Sequence, residues 1–178
     1  MTETVERINI GGRFSDGSPV YLTPWTFEVP QVREAIDEHL SGRVLNACAG
    51  KTRVEHDGPV VRNDLDPARD ADLHVDVREI DTAVDPESFD TVLFDPPYDA
   101  DNADKHYNGF HVGRPWEPRD ALEAVTAPGG VVVGFGWNSD GFDGYDGWKR
   151  ERTVYFRTPN MNGADVCMTV DRKIEGES

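Results

Sequence analysis

The spacing of apolar positions changes partway along the chain. Between Gln31 and Leu40 they fall at Val32, Ala35, Ile36 and Leu40, the spacing of an amphipathic helix, and Gly42 follows where a C-terminal cap would sit. From Arg43 onward, short apolar runs separated by polar loops replace that pattern. Arg43 to Ala47 predicts a first strand, Pro59 to Asp64 a second that ends in carboxylates, Ala71 to Asp76 a third, less apolar one, and Phe89 to Asp95 a fourth. The fourth is apolar at successive positions, as in a parallel strand buried on both faces. Residues 118–126 return to helical spacing, and Gly130 to Phe135 predicts a fifth strand. Thr153 to Arg157 and Asp165 to Asp171 read as two more, joined by a turn around Pro159 to Gly163. Strands alternating with helices predict an α/β chain with a mostly parallel sheet, to which the closing pair adds an antiparallel edge. The first 30 residues, with Gly11-Gly12 and prolines at 19, 24 and 30, read as an irregular arm, leaving 31–178 as a single domain.

Composition narrows the class. The 34 acidic residues outnumber 18 basic ones, for a net charge of −16, but 37% hydrophobic and 10% aromatic residues are too many for a disordered acidic chain. Asp (21) exceeds Glu (13) and Arg (14) exceeds Lys (4), a halophile-like bias. In salt near 1 M the Debye length is about 3 Å, so such acidity does not exclude a nucleic-acid partner. No apolar run approaches the ~20 residues of a membrane span, and the acidic N-terminus lacks the apolar core of a secretion signal, so a cytoplasmic protein is expected. Cys48 and Cys167 form neither a disulfide framework nor a metal spacing with histidines, so free thiols and no metal are expected.

Ligands of open α/β sheets bind beyond the carboxyl ends of the strands. Those ends read Ala49-Gly50, Asp64, Asp76 and Asp95-Pro96-Pro97-Tyr98. The last is the most informative. Two prolines fix successive φ angles and stiffen the loop, which holds a carboxylate, a backbone carbonyl and an aromatic face in a defined relation. Methylating an exocyclic amine needs such a group of acceptors, because the nitrogen lone pair is delocalised into its ring. Asp95 and the Pro96 carbonyl can accept both amino hydrogens, and Tyr98 can stack on the base. Ala49-Gly50-Lys51-Thr52 is not a phosphate loop, since Leu45 stands where that pattern requires glycine.

With these residues the chain resembles class I S-adenosylmethionine-dependent methyltransferases of the amino-methylating group, whose motif is Asn/Asp-Pro-Pro-aromatic. The Asp form recurs in DNA adenine-N6 and RNA guanine-N2 enzymes. The resemblance implies a Rossmann-like methyltransferase fold, S-adenosyl-L-methionine as cofactor and methyl transfer to a nucleobase amine. DNA adenine N6 is the first expectation and an RNA guanine or adenine amine the second, with Asp95, Pro96, Pro97 and Tyr98 catalytic. It further implies cofactor contacts from Asn46, Ala47, Cys48, Ala49 and Gly50 after the first strand, from Asp64 to the ribose, and from Asp76 to the adenine. A segment before the first strand, Thr23 to Phe27, would close over the cofactor, with Phe27 among its contacts.

The chain departs from the family pattern in two places. Its first loop keeps only Gly50 of the usual Gly-x-Gly, and the stretch from Gly50 to Asp64 is too short for a full crossover helix, which is expected to shrink to a turn. The long segment from Asp99 to Pro118 is placed to clamp substrate, with Lys105, His106 and Tyr107 as its candidates. Trp137 and Trp148 flank a Gly/Asp-rich loop and are expected to be buried. No separate target-recognition domain is expected, so sequence-specific binding would come from loops, a homodimer or a separate specificity subunit. A non-catalytic cofactor-binding subunit is the alternative from a different class.

Overall fold

The computed structural model describes residues 2–23, 25–97, 117–157 and 165–176. Tyr98, Lys105, His106 and Tyr107, together with the turn expected at 159–163, lie outside them. In chain order the elements are β1 (Thr4–Asn9), α1 (Pro30–Asp37), β2 (Val44–Asn46), β3 (Val60–Arg62), β4 (Phe89–Phe94), α2 (Arg119–Val125), β5 (Thr126–Gly136), β6 (Trp148–Arg157) and β7 (Val166–Lys173). Short 3-10 turns occupy Thr26–Glu28 and Val77–Thr82.

All seven strands form one sheet in the order β1-β6-β7-β5-β4-β2-β3. Only β7 runs against its neighbours; β2, β3, β4 and β5 are mutually parallel, and β1 is parallel to β6. Alternation along the central strands divides their side chains between two cores. Val44, Leu93, Val131 and Val133 pack with α1 and the Phe27–Val29 segment, whereas Leu45, Val92, Phe94 and Val132 pack with α2 and Ile80. Among the described residues no helix is long and apolar enough to cross a membrane.

The fold class is the one the periodicity predicts, with four local differences. The N-terminal arm is not irregular throughout: Thr4–Asn9 pair with Arg152–Arg157 and form the sheet edge. The closing pair is therefore antiparallel but internal, β7 lying between β5 and β6. The third strand shrinks to one bridge, Asn63 to Leu73, because the Asp72 carboxylate takes the Arg62 N–H at 2.8 Å while the amides of Asp72 and Leu73 both donate to the Arg62 carbonyl. Finally, α1 stops at Asp37, where His39 and Leu40 donate to the carbonyls three residues back and tighten the last turn. Gly42 thus serves the turn into β2 and does not cap the helix. Its φ of +54° and the collision a Cβ would make with the Asp90 carboxylate explain the glycine. The expected loss of the first crossover helix holds, since residues 51–59 contain none.

One side chain ties the edge strand to the body. Arg152, on β6, donates to Glu6 of β1 at 2.6 Å and to Glu38 after α1 at 2.7 Å, and its Nη1 lies 3.2 Å from His39 Nε2. Burial, and then the Arg152 charge, hold the His39 imidazole below its ordinary pKa of 6.5. The folded state therefore favours neutral His39 above pH 6.5. As pH falls below that value the unfolded chain takes up the proton first, and stability declines until the folded-state pKa is passed. Thermal melts between pH 5 and 8 should show this decline in the wild type and a shallower one in His39→Gln, which keeps an acceptor for Arg152 but does not titrate.

Candidate functional site

Because β2, β3 and β4 are parallel, their carboxyl ends share one rim. Asn46 pairs in register with Arg62 on one side and Leu93 on the other. Two residues further along, Cys48, Asp64 and Asp95 therefore leave the sheet together. The thiol reports this convergence: burial, and then the charges of Asp64, Asp95 and Asp76, push its pKa well up. Both cysteines are free thiols.

The first loop is held in place by side chains of β3. Asn63 Nδ2 donates to the carbonyls of Ala47 at 3.0 Å and Val75 at 2.9 Å, and Oδ1 accepts the Val75 amide at 3.0 Å. The guanidinium of Arg62, only 7% exposed, donates to the carbonyls of Thr52 (2.7 Å), Gly50 (3.1 Å) and Asp70 (3.0 Å). These two residues fix the backbone of the glycine loop and of the segment leading to Asp76. Nothing in the sequence singled them out, since an Arg-Asn pair at a strand end is a common surface pattern.

Asp64 turns toward the same loop. Its Oδ2 accepts the Gly50 amide at 2.7 Å and its Oδ1 the Asp66 amide at 2.9 Å. A carboxylate offers about four lone-pair directions, so two remain for a ligand. Asp76 is more committed: it caps the Val77–Thr82 turn, binds the Arg78 guanidinium at 2.6 Å, and is held below its ordinary pKa of 3.8 chiefly by that contact. Arg78 continues to Glu117 at 3.2 Å.

Asn46 is fully buried, and among the described residues neither its Oδ1 nor its Nδ2 has a hydrogen-bond partner. An amide buried in this way costs about 1–3 kcal/mol per unpaired group, which marks the position as unfinished. By alternation Asn46 shares the face of Val44, the face covered by the Phe27–Val29 segment. Phe27 itself is a core residue, its ring centroid 5.4 Å from that of Phe135. The arm residue that meets the glycine loop is Trp25. A Cβ on Gly50, whose φ is +54°, would stand 3.1 Å from the indole. Lys51 and Arg69 flank that ring at 4.5 and 5.3 Å from its centroid.

The Asp95–Pro97 turn leaves β4 beside this loop, with Pro96 buried and Asp95 and Pro97 half-buried. Pro96 also lines a cavity on the α2 side of the sheet, with Phe94, Leu122 and Phe142. The sequence pattern did not reveal this cavity. Trp148 is buried as expected, but Trp137 is 53% exposed and lines the same cavity.

No family model and no curated sequence matches the chain. Solved structures do. TrmN from Thermus thermophilus superposes with a TM-score of 0.58 at 17% identity, over 82% of this chain and 49% of TrmN, so the chain spans about half of that protein. A SAM-dependent O-methyltransferase from Thermotoga maritima gives 0.52 at 12% identity, over 94% of this chain and 78% of that one. An rRNA methylase from Streptococcus thermophilus gives 0.50 at 11% identity, over 82% and 95%. The chain has the Rossmann-like fold of these methyltransferases.

Proposed function

We propose that the chain transfers a methyl group from S-adenosylmethionine to an exocyclic amino nitrogen of a nucleobase, with adenine N6 in DNA as the first acceptor. The observation that carries this reading is the stiff Asp95–Pro97 turn, which leaves the sheet on the same rim as the Gly50 loop and Asp64. An RNA base amine is the second reading, favoured by the likeness to an rRNA methylase.

The rim suits the cofactor in three respects. Asn46 has a buried amide with both donor and acceptor unused, Asp64 keeps two lone-pair directions, and Gly50 presents bare backbone beneath Trp25. When bound, S-adenosylmethionine supplies an electrophilic methyl group on a sulfonium sulfur. Asp64 and the 46–50 loop would hold it, Asp64 through ribose hydroxyls.

Asp95 and the Pro96 carbonyl would accept the two amino hydrogens of the base and draw the nitrogen lone pair out of conjugation. So aligned, the amine nitrogen would be the nucleophile toward the methyl group that the cofactor supplies, and its surplus proton would pass to water. Asp95 orients the amine throughout and need not end protonated. Tyr98 would stack on the base, and Lys105, His106 and Tyr107 would hold the strand.

The direct test is transfer of a labelled methyl group to unmodified DNA and RNA in multimolar salt, followed by digestion to nucleosides. Label is expected in N6-methyl-2′-deoxyadenosine from DNA; label in an RNA nucleoside instead would move the assignment to the second reading. Asp95→Ala should lower transfer by at least about 10²-fold, the scale of losing an aligned polar contact to the reacting group, with cofactor affinity unchanged. Retained activity in that variant would remove Asp95 from the mechanism. Asp64→Ala should instead weaken cofactor binding about tenfold, read by calorimetry, as expected for losing roughly 1.4 kcal/mol of charge-assisted hydrogen bonding.

A further inference from the structure

The cavity beside Pro96, about 110 Å³, is built differently from the rim. Phe94, Leu122, Val132 and Phe142 supply apolar walls. On β5 the residues facing α2 are Val132, Gly134 and Gly136, since Val131, Val133 and Phe135 belong to the opposite core. A side chain would fit at the last of these: a Cβ on Gly136 would meet nothing nearer than Asn138 O at 3.8 Å. The space therefore exists because two side chains are missing from the strand face, and backbone crowding does not require the glycine at 136.

One end of this space is polar. Thr169 of β7 is 2% exposed, lines the cavity, and its hydroxyl makes no hydrogen bond among the described residues. Beside it Asp171, 1% exposed, accepts the Phe142 amide at 3.0 Å and pairs with the buried Arg150 guanidinium. Arg150 also donates to the Asp140 carbonyl at 3.1 Å, so this ion pair anchors the 140–142 loop that closes the cavity. The loop's aromatic ring is fixed in turn, Phe142 stacking on Trp148 at 4.1 Å. With the Asp171 charge compensated by Arg150, and Arg119 and Asp140 both among the lining residues, the walls present no net excess of either charge. The chemistry that fits is a flat, uncharged ring with a polar edge for the Thr169 hydroxyl.

Asp95 is not among the residues lining this space. An amine seated in it would not meet the Asp95 carboxylate, so the cavity is not the place of the reacting nitrogen. We propose that it is a second ring site, taking a planar, uncharged nitrogen heterocycle against Thr169, next to the turn that handles the acceptor amine. That this ring is a base of the same polymer rests on the proposed function; the cavity alone requires only the flat heterocycle.

The test uses adenosine, guanosine and cytidine as free probes, followed by ligand-observed NMR. Single-stranded DNA and RNA oligonucleotides, with and without an abasic residue beside the acceptor adenine, form the second arm. Gly136→Leu should fill the space and weaken nucleoside binding at least about tenfold, with cofactor affinity unchanged and Tm unchanged or raised. Thr169→Val, which keeps the shape and removes the hydroxyl, should weaken it by a smaller factor and covers the case in which Gly136→Leu does not fold. If the abasic residue costs the oligonucleotide a similar factor, the ring comes from the polymer; if it costs nothing while the nucleosides respond to both variants, the ring is a free molecule. No nucleoside binding at all, or binding that neither variant changes, overturns the ring site. Loss of methyl transfer with variant-sensitive nucleoside binding retained would count against the proposed function alone.

Discussion

The rim depends on two adjacent side chains at the end of β3. A methyltransferase-like sheet ordinarily has crossover helices to set the strand spacing and aim the loops; here residues 51–59 contain no helix and the third strand is a single bridge. Arg62 and Asn63 replace that scaffolding with hydrogen bonds. Between them they reach the carbonyls of Ala47, Gly50 and Thr52 in one stretch of backbone and of Asp70 and Val75 in another. Burying a guanidinium is costly unless its donors are satisfied and opposite charge is near. The three carbonyls meet the first condition, and Asp70, Asp72 and Asp64 meet the second.

The same economy explains which cations the chain uses inside. Arg62, Arg150 and Arg152 each join segments far apart in sequence, and each does so with several donors of one planar group. A lysine's three donors radiate from one nitrogen, as Lys173 shows in bonding Glu87 and the carbonyls of Glu123 and Thr126 around a single point, whereas a guanidinium spreads its donors over three nitrogens. The 14-to-4 preference for Arg over Lys therefore has a structural component besides any effect of solvent, since exposed pairs such as Lys51–Glu28 contribute little to stability.

What could be read in advance follows the range of the interaction. β4 and β5 were legible because burial on both faces leaves the unbroken apolar runs Val92–Phe94 and Val131–Val133 at their centres. The Asp95–Pro97 turn was legible because proline acts on its own backbone and its neighbour's, whatever the tertiary context. β1 was not, since Glu3, Glu6 and Arg7 give an edge strand that is mostly exposed no recognisable pattern; its partner lies about 150 residues away in β6. The third strand was over-read for the opposite reason. Its alternation of Leu73 and Val75 with polar residues suits a strand, yet Asp72 uses its side chain on the Arg62 amide that a continuing ladder would need. The rim carboxylates could be placed in order along the chain, but that Asp76 is bound to Arg78 while Asp64 bends back to Gly50 depends on contacts no spacing encodes.

The missing helices have a second consequence, on the other side of the sheet. Between β5 and β6 the chain runs through a loop with no helix, so among the described residues the α2-side face of β5 and β7 is covered by α2 and by residues 137–147. A helix there would have filled the space over Gly134 and Gly136 with its own side chains. A loop pinned by Arg150 and Asp171 spans it instead and leaves the Thr169 hydroxyl facing a void. Pro96 is common to that void and to the turn that carries Asp95. Its ring fixes φ, so a ligand pressing on it from the α2 side can move it only together with the backbone of Asp95 and Pro97. On the proposed reading, then, occupancy of the ring site and alignment of the acceptor amine act on the same three residues. Such coupling would make the alignment of the acceptor depend on what occupies the ring site.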